Sequence, residues 1–413
     1  MSAPKNIQTQ LLHSDRTAGV QHAPSHQPIY KSVQFAYDSA QGIADAFQGK
    51  SAGYTYARSN NPTLTALETQ LTLLEQGIGT VSFATGMGAI ATAMLALLKD
   101  GDHIVVSQYL FGNTTSLFDT FGLHGVEISY VDVTNVANVV AEIRDNTRMV
   151  FVETLANPRT QITDLQGIGQ LCQTRNIVFV VDNTMATPAL VRARDYGASL
   201  VMNSLSKGLS GHGAVLGGSI TDTGLFDWSN YPNIFAKYRT GDVSKWGLAQ
   251  LRKKGLRDMG ATLSADAAQM IALGLETFFL RNERACANAL QLAQWLQAHP
   301  AVENVDYPGL SKHPQHMRAQ ELFGKRGFGT LLSFTVKPEH KDVFAVLDTL
   351  QVVMISTHLG DNRTMALPVA QTIYAEMAAE QRLAWGITDG LIRVSVGIEQ
   401  IDDLIADFAQ ALI

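Results

Sequence analysis

Leu200-Val201-Met202-Asn203-Ser204-Leu205-Ser206-Lys207-Gly208 is an apolar strand (200–203) that ends in two small hydroxyls, a lysine and a glycine-rich stretch, 208–218. A side chain just past the carboxyl end of a strand stands where open α/β sheets bind their ligands. Outward from it, short apolar runs recur at 103–107, 127–131, 149–153 and 178–182, with helical stretches between them. Several are apolar on both faces, which is the pattern of a parallel sheet covered by helices on each side. Further back, Asn61 and Pro62 are a cap and first turn, Leu64, Leu67, Leu71 and Leu74 share a helix face, and Gly77 is the expected stop.

The 413 residues are too many for one core, so two domains are expected. Residues 1–58 lack sustained periodicity and read as an arm laid against something else; 59–255 form the α/β domain. Past 255 a helical region (263–299) is followed by separated strands at 330–336, 352–356 and 391–396 and an amphipathic helix from Gln400, a smaller α+β domain over 256–413. A net charge of −6 gives no reason to expect nucleic acid or an anionic membrane as partner. No apolar run is long enough for a span, and the polar start Met1 to Arg16 has no apolar leader, so a cytoplasmic protein is expected. Cys172 and Cys286 show no paired spacing and read as core, and no histidine set suggests a metal.

Ser204 and Ser206 with their flanking glycines suit a phosphate beside a Schiff-base lysine, since they let the backbone approach an anion and supply N–H and O–H donors. Ser204-x-x-Lys207 is also the nucleophile spacing of penicillin-recognising hydrolases, but neither Ser-Asp-Asn nor Lys-Thr-Gly occurs in the chain. Upstream, 178–181 is an apolar strand ending in Asp182. A carboxylate there either meets a cation, such as a protonated pyridine nitrogen, or caps the backbone after Thr184. Thr85-Gly86-Met87-Gly88-Ala89 opens an apolar helix whose free N–H groups offer a second anion site. As a dinucleotide fingerprint it lacks the acidic ribose partner, which argues against a Rossmann oxidoreductase.

These elements fall in line with others. Tyr56-Ala57-Arg58 with Asn61-Pro62-Thr63, Gly86-Met87, Glu153-Thr154 with Asn157-Pro158, Asp182-Asn183-Thr184, Ser204-Leu205-Ser206-Lys207 and Arg393-Val394-Ser395-Val396-Gly397 resemble, in order and spacing, the cystathionine γ-synthase-like family of pyridoxal-phosphate (PLP) enzymes of cysteine and methionine metabolism. The resemblance implies the aspartate aminotransferase-like α/β fold (fold type I): a mostly parallel seven-stranded sheet in a three-layer α/β/α large domain, plus a smaller C-terminal domain. It implies that Lys207 carries the cofactor and then moves protons, that Asp182 holds the pyridine nitrogen and that Asn157 meets the ring hydroxyl. Gly86, Met87, Ser204 and Ser206 would hold the phosphate, joined by Tyr56 and Arg58 from a neighbouring subunit; Thr184 would also face the cofactor and Phe111 would stack on it. Arg393 would clamp the substrate carboxylate, with His358 and Tyr56 also near the substrate. Shared sites imply a homo-oligomer, usually a dimer of dimers.

Departures from the family bear on the reaction. Relatives commonly place a tyrosine over the ring, where this chain has Leu110-Phe111-Gly112-Asn113-Thr114. Phenylalanine has no proton to give, and a thiol leaving group benefits from an acid worth about 10²–10⁴-fold, whereas a carboxylate needs none. That favours γ-replacement on an O-acylhomoserine, acetyl or succinyl, with sulfide or a thiol, over γ-elimination as in methionine or cystathionine γ-lyases. Asn113, standing where the γ-lyases resemble one another in having cysteine, points the same way. His358 replaces the usual Ser or Asn, and reads either as an additional acid or base or as a structural histidine; Leu367-Pro368 replaces His-Pro.

Overall fold

The computed structural model describes residues 6–14, 22 and 24–413; the remainder of the start and arm lies outside the described residues. The helix Pro62–Glu75 begins as expected: the Asn61 side chain accepts from Thr63 N at 2.9 Å, and the four leucines are buried. It is Gln76, not Gly77, that turns left-handed, with φ 53°. Gly77 is needed for another reason, because a Cβ there would lie 2.4 Å from Thr221 Cγ2.

Seven strands make the first sheet: β1 (Gly79–Phe83), β2 (His103–Ser107), β3 (Glu127–Val131), β4 (Thr147–Glu153), β5 (Val178–Asp182), β6 (Leu200–Ser204) and β7 (Gly218–Asp222), in the order β1-β7-β6-β5-β4-β2-β3. Only β7 runs against its neighbours. The sequence pattern missed β1 and β7 because small polar residues interrupt their apolar runs; Thr80 and Thr221 share a hydroxyl–hydroxyl bond of 2.8 Å between the strands, and Ser82 donates to the Glu68 carboxylate at 2.9 Å. Alternate residues feed two cores, Val81, Val106 and Phe151 on one face and Val105, Val152 and Phe179 on the other. Helix Gly86–Leu97 covers the first face and Leu165–Arg175 the second, which gives the three layers. Both cysteines are buried and free.

The second sheet holds β8 (Val302–Asp306), β9 (Leu331–Val336), β10 (Met354–Ile355), β11 (Met365–Pro368) and β12 (Leu391–Ser395), in the order β10-β11-β12-β9-β8. The strand expected at 352–356 shrinks to two residues. The N–H groups of Gln351, Val352 and Val353 are taken by the Asp407 carboxylate at 2.8, 2.8 and 2.9 Å, so they do not join the ladder. The helical region expected over 263–299 is two helices, Ala265–Glu276 and Phe278–Ala298, broken at Thr277. In the arm, helix Ala40–Phe47 buries no residue. Among the described residues no helix is long and apolar enough to cross a membrane.

Candidate active site

The carboxyl ends of β1, β2, β4, β5 and β6 converge on one cavity of about 360 Å³. After β1, Thr85 caps helix Gly86–Leu97 by accepting from Gly88 N at 2.9 Å, which leaves the N–H groups of Gly86 and Met87 outside the helix ladder. A Cβ on Gly86 would stand 3.0 Å from Ser204 Cβ and 3.1 Å from its Oγ, so the helix N-terminus and the Ser204 hydroxyl close on one small volume. Ser206 differs from expectation in detail. It lines the cavity, but its hydroxyl accepts from Gly217 N at 3.0 Å and donates to Gly217 O at 3.3 Å, so it shapes the loop as well. Thr184 ties two strand ends together by accepting from Ser204 N at 2.8 Å.

Asp182 Oδ1 accepts from Thr184 N at 3.0 Å, so the capping contact weighed from the sequence is present. Its other face lines the cavity beside Glu153, its register partner on β4. Burial raises both carboxyls, and the Asp182 charge raises Glu153 further; no cation offsets either. Glu153 Oε1 accepts from Phe111 N at 2.7 Å and so fixes the loop that presents Phe111, which is 37% exposed at the cavity wall. No role was expected for Glu153, although 149–153 carries the same signal as 178–182: a buried apolar run ending in an acid.

Lys207 projects into the cavity with Nζ 3.3 Å from His358 Nδ1. Burial and the neighbouring Arg393 lower its amine to about 8. Arg393 comes across from the second sheet, on β12, and is 2% exposed. It donates to Asn157 Oδ1 at 3.4 Å and to the carbonyls of Thr357 and His358 at 3.0 and 3.3 Å. Its Nε is buried without a partner, and burial lowers the guanidinium to about 10. Tyr374 was not foreseen; burial and Glu153 push its phenol up while Arg393 opposes them.

Tyr56 and Arg58 are not brought to this cavity by the chain. They line a separate open cavity of about 560 Å³ with Lys31 and Asp266, Tyr56 being 46% exposed and Arg58 stacked 5.6 Å from its ring centre.

The residues present fit PLP. A helix N-terminus with a serine hydroxyl suits a phosphate, and an acid with no cation suits a protonated pyridine nitrogen. A lysine of lowered basicity suits an aldehyde, and an unpartnered guanidinium N–H suits a carboxylate.

Comparison with known proteins agrees. The chain is 38% identical over 390 residues to the L-methionine gamma-lyase of Fusobacterium nucleatum subsp. polymorphum, covering 93% of this chain and 92% of that one. It is 34% identical over 417 residues to the O-acetyl-L-homoserine sulfhydrylase of Corynebacterium glutamicum, covering 97% and 95%. A crystal structure of a Campylobacter jejuni protein assigned as an O-acetylhomoserine (thiol)-lyase, with a pyridoxyl-lysine phosphate, superposes with a TM-score of 0.93 at 30% identity, covering 98% and 99%. The model of the Cys/Met metabolism PLP-dependent enzymes matches residues 8–413, and the chain, a fold type I enzyme with pyridoxal phosphate as its cofactor, belongs to that family.

Proposed function

We propose that this enzyme performs γ-replacement on an O-acylhomoserine, with sulfide or a thiol entering at Cγ as acetate or succinate leaves. The observation that carries the reading is Phe111, an aromatic face at the cavity wall without a proton to donate. When bound, PLP supplies the electron sink that makes protons on the substrate's α and β carbons removable.

Lys207 Nζ holds the cofactor and, once free, moves those protons. Asp182 would pair with the ring nitrogen and keep it charged, and Asn157 would meet the ring hydroxyl. Gly86, Met87, Ser204 and Ser206 hold the phosphate; Thr184 steadies the floor by holding Ser204 N. Arg393 orients the substrate by its carboxylate through the buried Nε–H that has no protein partner. Residues 59–255 form the cofactor-binding unit and 256–413 the small unit that delivers Arg393. Tyr56 and Arg58, exposed on the outer face, reach the cavity of a second copy, so the working form is a homo-oligomer.

A second reading, γ-elimination from methionine or cystathionine, draws support from the Fusobacterium nucleatum relative and from His358, which places a titratable group beside Lys207. The test is a panel of O-acetylhomoserine, O-succinylhomoserine and methionine, each with and without sulfide. The expected result is sulfide-dependent homocysteine from an acyl substrate as the fastest reaction. Ketobutyrate from methionine at a higher rate would reverse the order of the two readings.

A further inference from the structure

Lys207 is followed at once by Gly208, and then by Gly211 and Gly213, which take positive φ values of 71° and 60°. Glycine leaves a backbone free to rotate, so a lysine that must meet one atom of a cofactor stands on a segment with little stiffness of its own. One turn closes within the segment: Gly211 N donates to Lys207 O at 2.9 Å, and Ser210 Oγ donates to the same carbonyl at 3.3 Å. The next two carbonyls go to a distant side chain. Arg281 Nη1 donates to Gly208 O at 3.0 Å and Nη2 to Leu209 O at 3.1 Å.

Arg281 lies near the start of helix Phe278–Ala298, in the unit that also delivers Arg393, and is 8% exposed. Its remaining bonds are from Nη2 to Gly274 O at 2.7 Å and from Nε to Thr277 Oγ1 at 3.2 Å. Among the described residues no carboxylate pairs with it: Asp361, whose charge favours the guanidinium, is bound to Arg363 at 2.9 Å. Burial lowers the guanidinium to about 10. A buried cation without an ion pair, close to the N-terminal end of a helix, costs free energy. What it does here is hold two successive peptide groups beside Lys207, and its planar fork fixes them relative to each other. A Cβ at Gly211 would collide with Nη1, so glycine there admits the guanidinium as well as turning the chain. Asn362 N, from the same unit, takes Gly211 O at 2.9 Å.

We propose that Arg281 is the positioning residue of Lys207: by holding the carbonyls of Gly208 and Leu209 it fixes where Nζ stands toward the cofactor aldehyde. The unit that brings Arg393 to the cavity thereby also sets the place of the lysine on the other unit. Both γ-replacement and γ-elimination use Lys207 in that place, so the role does not depend on which is performed.

The test uses the full chain, cofactor-free, as Arg281→Gln and Arg281→Lys, with PLP and with pyridoxine 5′-phosphate, which has the ring and the phosphate but no aldehyde. Pyridoxine phosphate should bind both variants as it binds wild type, because the groups that take the ring and phosphate are untouched; this also shows that the variants are folded. At saturating PLP, the first-order absorbance change that marks the bond to Lys207 should slow by about tenfold or more in Arg281→Gln, since a displacement of about 1 Å costs that much or more. Arg281→Lys, which keeps a charge but has no planar fork, should fall between that variant and wild type. The pH midpoint of the rate should stay near 8 in both variants, because burial and Arg393 set it.

An unchanged rate in Arg281→Gln would overturn the proposal. An equal loss of pyridoxine phosphate affinity would also do so, since Arg281 would then support the cavity as a whole. A moved midpoint would replace positioning by an effect of charge on the amine. If neither variant folds, Arg281 belongs to the fold and the proposal falls.

Discussion

The chemistry turns on the state of a few side chains that burial has moved away from their ordinary behaviour. Lys207 is the plainest case. Desolvation disfavours the ammonium and Arg393 repels it, so the amine titrates near 8 instead of 10.5. Only the neutral amine attacks an aldehyde. The rate at which cofactor-free enzyme takes up PLP, followed by absorbance, should therefore rise with pH and level off above about 8. Arg393→Gln, which removes the nearby positive charge, should move that midpoint upward; an unchanged midpoint would show that burial alone sets it. Asp182 and Glu153 are the opposite case, two acids raised by burial with no cation beside them. Such a pair at the ends of adjacent strands costs free energy unless a cation meets it.

Among the elements, the cluster around Glu75 makes stability depend on pH. Helix Pro62–Glu75 ends in Glu75, 1% exposed, which accepts from Asn203 Nδ2 on β6 at 2.7 Å. Burial raises its carboxyl from 4.5 to about 7. Between those values the folded chain binds a proton that the unfolded chain has released, so stability must fall as pH rises through that window. At about 1.4 kcal/mol per pKa unit, the full loss is on the order of 3 kcal/mol. Glu75→Gln keeps the shape, carries no charge and adds a donor beside Asn203 Oδ1, which has no partner. The fall in urea midpoint from pH 5 to pH 8 should be smaller in the variant than in the wild type, the remainder coming from other acids that burial raises, Asp182 and Asp222. Parallel behaviour would mean that Glu75 is not the group responsible.

On the scale of the whole molecule, the first sheet lines the cavity with its strand ends and the second brings Arg393 to it, while Tyr56 and Arg58 line a separate cavity. If they serve a neighbour, Lys207→Ala and Arg58→Ala chains mixed after unfolding together should recover about a quarter of wild-type activity, because random pairing gives half hybrids with one intact site each. Two residues acting within one chain would give no recovery. Several of these features were legible in the sequence. Strands 178–182 and 200–204 announced themselves because both faces are buried and their apolar runs are unbroken; the residues just past them, Asp182, Ser204 and Lys207, were legible because an acid, a hydroxyl or a lysine at the end of such a run costs free energy without a ligand. Strands β1 and β7 were hidden because small polar residues interrupt their apolar runs, Thr80 and Thr221 finding each other across the ladder, and the 352–356 strand was overstated because Asp407, distant in sequence, takes its donors. Periodicity thus gave the α/β class, and the ends of apolar runs drew attention to Lys207 and Asp182, since both depend on neighbours along the chain; the family resemblance implied the fold type and the residue roles. Only the tertiary structure shows Arg393, on β12, and His358, in the loop before β11, set against each other and His358 against Lys207, because contacts between distant segments are made by packing, which no local pattern encodes.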